Sequence, residues 1–297
     1  MDRTRRITRV TGLGLAVNLL LTAGKMVAGV LGRSAAMLAD GMHSLSDLAG
    51  DVVLLAFLRV SVRDRDKSHD FGHGKFETFA TLVVAVLLCV VAAGIGRDGA
   101  ERIVRLVRGE TLPQPGMIAL WAAVVSILVK EALYRITVRV GKAEQSPAVV
   151  ANAWHHRTDA LSSVGSLLGI GGALLLGEKW TVLDPVAALV IACFILVTGI
   201  RMALPAVREL LDASLPDDEE EEVLQIMGSV PGVRDVHGLK TLRAGRSVVI
   251  EAHIVVDPQM SVAAAHDICD EIERRLRGRL GPQTQISLHI EPAVDAL

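Results

Sequence analysis

Two histidine–aspartate pairs with the same spacing lie inside apolar stretches of the sequence. His43 and Asp47 are four residues apart in one stretch, and His155 and Asp159 are four apart in another. On an α-helix, residues four apart lie on one face, about 5–6 Å apart at Cβ. Two such helices facing each other would bring two imidazoles and two carboxylates to one point, which is a donor set for a tetrahedral Zn²⁺-type ion. The repeated pair therefore predicts an intramembrane divalent-metal site.

Ionisable residues in mid-membrane need a partner or a function, because a charge there costs at least about 2.5–3.5 kcal/mol. A single pair is explained by a hydrogen-bonded packing unit, whereas two pairs with one spacing favour a ligand set. Asp51 lies one turn beyond Asp47, and His156 is adjacent to His155. Each fits either a hydrogen-bonding partner of the ligands or a solvated or packing role. Asp40 fits either a pore entrance or a helix cap.

The elements that must hold these residues are membrane-spanning helices. The chain is 51% hydrophobic, with a mean hydropathy of +0.44, which is too apolar for an ordinary soluble domain. Six stretches are long enough to cross about 30 Å of hydrocarbon at 1.5 Å per residue. They are residues 7–31, 35–60, 76–95, 116–138, 148–176 and 181–204. We therefore expect a six-helix transmembrane bundle in contact with a lipid bilayer.

The composition changes sharply after residue 211. Residues 212–222 are acidic, and no later stretch is long enough to span a membrane. We expect a transmembrane domain over residues 1–211 and a soluble domain over 212–297. Lysine and arginine are frequent near span ends on the side of the soluble domain, so the positive-inside rule predicts cytoplasmic termini. Four arginines between residues 97 and 108 are an exception to this rule, because they fall on the opposite side. We expect them to extend the third helix beyond the bilayer.

The soluble part has an αββαβ pattern. Residues 217–229 and 261–280 are predicted helices, the second with Ser261 as its N-cap. The β-rich runs 233–242 and 247–256 predict a hairpin, and 284–290 alternates as a last strand. This order predicts a small cytoplasmic α+β domain with two layers.

Composition also argues against nucleic-acid binding and against a disulfide-bonded fold. A net charge of −2 and 3% aromatic residues argue against nucleic-acid binding. The three cysteines (Cys89, Cys193 and Cys269) are scattered and form no CxxC motif. They predict reduced, buried thiols and not a disulfide framework.

A second group of possible ligands lies in the connection between the second and third spans. Asp66, His69 and His73 are close in sequence, and the nearby glycines let the backbone fold tightly enough for them to converge on a metal. The alternative is an ordinary solvated loop.

A third group lies in the soluble part. Of nine histidines in the chain, four are here and the other five belong to the first two groups, so none is left over. This partition favours a metal role for the soluble part. Its candidate ligands are His237, His253, His266, His289 and Glu291.

Taken together, these motifs resemble the cation diffusion facilitator family of proton-coupled Zn²⁺ exporters. The matching features are HxxxD in the second and fifth spans, DxxHDFGHGKFE in the loop, LLDASLP after the sixth span, and the spaced histidines of the tail. The resemblance covers nearly the whole chain. It implies a homodimer of V-shaped or inverted-V arrangement in a bacterial inner membrane. It also implies ferredoxin-like, metallochaperone-like tails that bind a zinc pair at their mutual interface.

The resemblance assigns a role to each candidate residue by position. His43, Asp47, His155 and Asp159 would form the transport site, and Asp66, His69 and His73 the loop site. The tail residues would form a binuclear site with His266 as the bridge, although Glu291 stands where an aspartate is common in the family. Lys75 and Asp212 match an ion pair at the domain junction; two ordinary interfacial charges are the alternative. His43 in place of the aspartate of some relatives favours zinc.

The predicted activity is Zn²⁺/H⁺ antiport by alternating access. Imidazole titrates near pH ~6.5, and a metal ligand must be deprotonated to bind, which gives a route to proton coupling. Fe²⁺, Co²⁺, Cd²⁺ and Mn²⁺ are alternative substrates, although two imidazoles favour Zn²⁺, Co²⁺ or Cd²⁺ over Mn²⁺. A metal sensor or storage protein that binds without transport is a second alternative. A membrane metalloenzyme is a third, but the chain has no HExxH motif, and we expect no enzyme.

Overall fold

The computed structural model describes residues 3–293 except 62, 64 and 145. Six long helices are followed by a small domain of two helices and three strands, and a short 3₁₀ helix, Glu178–Trp180, precedes the sixth helix. The helices are α1 (Arg3–Leu31), α2 (Ala35–Ser61), α3 (Lys75–Val107), α4 (Met117–Ala143), α5 (Pro147–Leu175), α6 (Leu183–Leu210), α7 (Asp217–Gly228) and α8 (Val262–Leu280). The strands are β1 (Asp235–Ala244), β2 (Ser247–Val256) and β3 (Gln285–Pro292).

Two compact units divide the chain. The first comprises the residues up to Val52 together with Val84–Arg201, and the second comprises Val53–Val83 and the residues from Met202 onward. Among the described residues, five helices are long and apolar enough to cross a membrane: α1, α3, α4, α5 and α6. Helix α2, which carries the first histidine–aspartate pair, is not one of the five.

Small residues hold the helices of the first unit together. Ala119 and Ala123 of α4 are fully buried, in a cluster with Met37 and Ile170. A Cβ on Gly141 would lie 2.9 Å from the backbone nitrogen of Val150, so α4 and α5 approach closely there. Small residues allow such backbone contact in membranes, where helix packing cannot rely on a hydrophobic drive. The close α4–α5 packing brings the polar residues of α5 next to those of α4.

The start of α2 is fixed by a carboxylate from α6. Asp184 accepts hydrogen bonds from the backbone nitrogens of Ala35 (2.6 Å) and Ala36 (3.3 Å) and from the Ser34 hydroxyl (2.5 Å). The first backbone N–H groups of a helix have no partner within the helix, so this side chain satisfies them. Asp184 therefore sets the position of α2 relative to α6 at this end.

Helix α3 begins one residue before the predicted span 76–95 and continues beyond it to Val107. The interleaved charges in its last turns form i,i+4 ion pairs, Arg102 with Asp98 and Arg105 with Glu101. The prediction that the arginines of this region extend the third helix is confirmed.

In the second unit, the αββαβ prediction is confirmed. The sheet order is β1-β2-β3; β1 pairs antiparallel with β2, and β2 pairs parallel with β3. Helix α8 is the crossover between the parallel strands, and the Ser261 hydroxyl accepts from the nitrogen of Ala264 as the predicted N-cap. The β1–β2 turn is at Gly245-Arg246, where Gly245 has a φ of +62°. Fully buried side chains of α7, β2 and α8 form the core, among them Met227, Ile250, Ile254, Ile272 and Leu276.

Candidate functional site

Three of the four residues in the repeated pairs converge in the first unit. His43 and Asp47 on α2 and Asp159 on α5 each place one ligand atom within 4.8 Å of the others. The Nε2 atom of His43 lies 3.9 Å from Oδ2 of Asp47. His43 and Asp159 are buried, and Asp47 is partly buried. The α2–α5 packing thus produces the convergence that the spacing predicts.

The fourth residue, His155, lies at the edge of this group. Its Nδ1 atom is 3.8 Å from Oδ1 of Asp159, but its side chain is 54% exposed and it is not part of the three-residue cluster. Helical spacing places His155 on the same face of α5 as Asp159. It does not determine the direction of the ring, which here points partly away from the cluster.

The cluster has the size and chemistry of a cation site. Bonds of 2.0–2.1 Å to a tetrahedral Zn²⁺ place neighbouring ligand atoms about 3.3 Å apart, somewhat closer than the 3.9 Å between His43 and Asp47. A cavity of about 40 Å³ beside the cluster is lined by Asp47, Asp51 and Asp159, among others. Within the described residues, the buried Nδ1 atom of His43 has no hydrogen-bond partner. The ligand atoms would have to move closer to one another to coordinate an ion.

A lysine that the sequence analysis missed lies in the same place. The buried Nζ of Lys130, on α4, donates to Oδ2 of Asp159 at 2.6 Å. A buried charge in an apolar helix is costly unless it is paired. Lys130 lies in the fourth predicted span, so the same cost applies to it and indicates that it needs a buried partner.

A second buried ion pair lies deeper in the same unit. Nζ of Lys25, on α1, is 2.8 Å from Oδ2 of Asp40, on α2, and both side chains have at most 1% exposure. Ser163 of α5 accepts from Lys25 at 2.9 Å and donates to Asp40 at 2.8 Å. Asp40 is thus the centre of a polar network. The helix-cap role suggested for it is wrong, because α2 begins five residues earlier, at Ala35, and its full burial argues against a pore entrance.

Asp51 and His156, each of which fits two roles by sequence, lie in different surroundings. Asp51 is exposed and lines the small cavity beside Asp47, but it is not part of the three-residue cluster. His156 is buried against Gly14 of α1, where an added Cβ would lie 3.1 Å from its Nε2. Among the described residues, neither ring nitrogen of His156 has a hydrogen-bond partner. Its surroundings are those of a packing residue.

The loop residues converge in the second unit. Asp66, His69 and His73 place ligand atoms within 4.8 Å of one another. One oxygen of Asp66 lies 3.6 Å from Nδ1 of His69, and the other lies 3.5 Å from Nε2 of His73. The side-chain hydrogen bond from Ser68 is the main cause that lowers the pKa of Asp66 to about 2. The loop is therefore folded with a charged carboxylate facing two imidazoles.

The basic and acidic residues predicted to pair at the junction are in contact. Nζ of Lys75, the first residue of α3, forms an ion pair with Oδ1 of Asp212. Both belong to the second unit, and Asp212 has a φ of +57°. This geometry agrees with a specific pair better than with two ordinary surface charges.

In the small domain, three of the five predicted ligands converge. Strand register aligns His237 with His253, and His253 with His289, in one row across the sheet. Glu291 lies 2.8 Å from Nδ1 of His253 and 3.2 Å from Nε2 of His237. His289 is at the edge of this cluster, 67% exposed and 3.9 Å from Glu291. His266 is outside it, on α8, 72% exposed and 3.8 Å from Asp270.

Comparison with known proteins identifies the family. Residues 13–211 match the model described as the cation efflux transmembrane domain, and residues 215–293 match that of the cation efflux protein cytoplasmic domain. The chain belongs to the cation diffusion facilitator family. Relatives of the chain include proteins named as a manganese efflux system protein and as a cation-efflux pump.

Three relatives illustrate the range of the cation diffusion facilitator family. Metal tolerance protein C1 of Arabidopsis thaliana is 35% identical, over 96% of this chain and 62% of its own length. Metal tolerance protein 2 of Oryza sativa subsp. japonica is 37% identical, over 95% of this chain and 77% of its own. The manganese efflux system protein MneP of Bacillus subtilis (strain 168) is 28% identical, over 98% of both chains. This chain thus spans less than two thirds of the Arabidopsis relative.

Proposed function

We propose that the chain exports Zn²⁺ from the cytoplasm in exchange for protons, by alternating access and as a homodimer. The observation that carries the proposal is the convergence of His43, Asp47 and Asp159 from two packed helices of the membrane unit. His155, 3.8 Å from Asp159, would complete the four-donor set if its ring turned toward the cluster.

Zinc is favoured over manganese by the donor atoms. Imidazole nitrogen suits Zn²⁺, whereas Mn²⁺ prefers oxygen ligands. Two of the four proposed ligands are imidazoles, His43 and His155. The relative whose name specifies manganese efflux makes Mn²⁺ the first competitor to test.

The proposed proton coupling follows from competition for the same donor atoms. A ligand nitrogen or carboxylate must be deprotonated to hold the metal, so loading from a neutral cytoplasm releases protons and an acidic exterior favours release of the metal. The same proposal places both termini in the cytoplasm, which the distribution of basic residues supports, and places the protein in the inner membrane.

The proposal of a homodimer is supported by the position of His266, which does not reach the other tail ligands within one chain. His266 is highly exposed and remote from the His237–His253–Glu291 cluster. A second subunit facing this surface would allow His266 to bridge ions held by the two tails. In this proposal, zinc binding at the tails and at the loop residues Asp66, His69 and His73 regulates export.

The test is flux into proteoliposomes that contain a zinc dye and a pH dye. We expect an imposed pH gradient to drive Zn²⁺ movement with proton flow in the opposite direction, and Mn²⁺ to move more slowly. Mn²⁺ flux that exceeds Zn²⁺ flux would overturn the assignment of Zn²⁺ as the transported ion. Zn²⁺ flux without proton flow would overturn the coupling. Saturable binding without flux would indicate a sensor or storage protein instead.

A further inference from the structure

A cavity of about 370 Å³ lies within the second unit, apart from the three candidate metal clusters except for His73 in its wall. Its volume falls in the range of small-molecule pockets, about 300–1,000 Å³. Three arginines line it: Arg63 and Arg65, just after α2, and Arg246, in the β1–β2 turn. Glu77 is the one carboxylate among the described residues of its wall.

The three cavity arginines, like Arg208, differ from most arginines of the second unit, because they have no carboxylate partner among the described residues. Of the seven arginines after residue 212, all except Arg246 form ion pairs with carboxylates: Arg234, Arg243, Arg274, Arg275, Arg277 and Arg279. In the part of the chain that the structure describes, which leaves out residue 64, none of the three cavity arginines is paired with a carboxylate. Three guanidinium groups without a carboxylate partner among the described residues line one cavity. They favour an anionic ligand, and their fork geometry suits phosphate oxygens.

The cavity walls are built by specific contacts. Gln285 Nε2 donates to the carbonyl oxygen of Phe71 at 3.1 Å, which holds the loop against β3. A Cβ on Gly74 would lie 2.3 Å from the carbonyl oxygen of Ala244, and one on Gly245 would lie 2.5 Å from that of Gly74. Only a residue without a side chain allows this backbone contact. The arginines of the loop and of the turn are therefore brought to one cavity by the fold.

The position in the chain indicates the source of the phosphate. Arg63 and Arg65 follow within four residues of Ser61, where α2 ends, and His73 and Glu77 flank the start of α3. The loop leads directly into α3, one of the five helices that are long and apolar enough to cross a membrane, so it lies at the level of the lipid headgroups. Basic pockets at the cytoplasmic side of membrane helices bind anionic headgroups. Phe71, 64% exposed, adds an apolar ring to the same cavity.

We propose that this cavity binds the phosphate group of an anionic phospholipid through Arg63, Arg65 and Arg246. One lipid would then hold the loop after α2 to the β1–β2 turn. A zwitterionic lipid would bind less well, because its headgroup cation opposes the arginines.

The test is native mass spectrometry and thermal unfolding of the full chain in detergent, titrated with short-chain phosphatidylglycerol, phosphatidylcholine or inorganic phosphate. We expect one phosphatidylglycerol per chain to bind specifically and raise the unfolding temperature. The triple variant R63Q/R65Q/R246Q should bind it about 100-fold less tightly, from roughly a fivefold loss per basic residue. A matched control, R135Q/R139Q/K142Q, removes three charges at the end of α4 and should bind normally.

The outcomes are distinguishable. An equal loss in both triple variants would reveal general surface electrostatics and overturn the site. Saturation by inorganic phosphate without phosphatidylglycerol binding would overturn the lipid assignment and leave a soluble phosphate ligand. If the glutamine variant is poorly folded without lipid, R63K/R65K/R246K retains the charge. Weaker phosphatidylglycerol binding by the folded lysine variant supports recognition through the three guanidinium groups, and binding equal to that of the wild type overturns it.

Discussion

The Lys130 ammonium donates a hydrogen bond of 2.6 Å to Asp159, a carboxylate of the proposed transport site. A metal ion that binds Asp159 must compete with this resident cation. Removing the ammonium with Lys130→Met should therefore tighten Zn²⁺ binding by about ten- to a hundredfold, since a hydrogen bond to a charged group contributes about 1.5–3 kcal/mol. Isothermal titration of the purified variant measures this change, with Lys130→Arg as the charge-retaining control. Weaker binding by Lys130→Met would contradict the competition.

The Lys25–Asp40 pair is expected to be structural. Lys25→Met leaves Asp40 buried without its cation, and breaking a buried pair in this way costs about 3–5 kcal/mol. The double variant Lys25→Met/Asp40→Leu should recover much of this loss, because no charge remains buried. Chemical unfolding of the single and double variants in detergent measures both values. Lys142→Met, at an exposed lysine, is the control and should change little. Equal instability of the single and double variants would argue against this explanation.

The contact between Gly74 and the β1–β2 turn gives a prediction about local stability. Gly74→Ala would place its Cβ 2.3 Å from the Ala244 oxygen, so the two segments must separate, at a cost of about 1–3 kcal/mol. Hydrogen exchange should show faster exchange around Gly74 and Gly245. A Cβ on Gly278, in α8, meets nothing within 4 Å, and Gly278→Ala should stabilise the protein by about 0.4–1 kcal/mol. Unchanged exchange in Gly74→Ala would show that the segments are not in contact.

The thiol of Cys269 gives a prediction about pH. Burial raises the pKa of Cys269 above that of an ordinary thiol. The unfolded chain therefore deprotonates first as the pH rises, so the stability due to this group is present at neutral pH and lost above about pH 8.5. In a Cys89→Ser/Cys193→Ser protein, alkylation of Cys269 should have a pH midpoint above that of the unfolded chain. A midpoint at or below the unfolded value would contradict the burial argument.

Much of the fold followed from sequence patterns. The αββαβ order depends on alternating and 3.6-residue periodicities and on local signals such as the Ser261 cap, so it was predictable. The prediction of buried thiols holds for Cys269 but is wrong for Cys193, which is exposed on α6. Apolarity alone does not distinguish a helix surface that faces lipid from one that faces protein.

The candidate site was predictable in its residues but not in its geometry. Helical spacing places His43 beside Asp47, and the packing of α2 against α5 brings Asp159 to them. The spacing leaves the ring orientation of His155 open. Lys25 and Lys130 come from other helices, and their partners Asp40 and Asp159 are 15 and 29 residues away in the chain. No local pattern specifies such pairs; only the cost of a buried charge indicates that each lysine needs a partner.

The most direct test of the central claim compares two aspartates one turn apart on α2. Asp47 is part of the three-residue cluster, whereas Asp51 is not. Zn²⁺ flux is measured in proteoliposomes with an imposed pH gradient for the wild type, Asp47→Asn and Asp51→Asn, at equal reconstitution. Losing even an outer partner of a metal site lowers metal affinity or activity about 10–100-fold, so losing the Asp47 ligand should abolish flux in Asp47→Asn. Asp51 is exposed and outside the cluster, so Asp51→Asn should keep most of the flux. Wild-type flux in Asp47→Asn would contradict the assignment of the transport site.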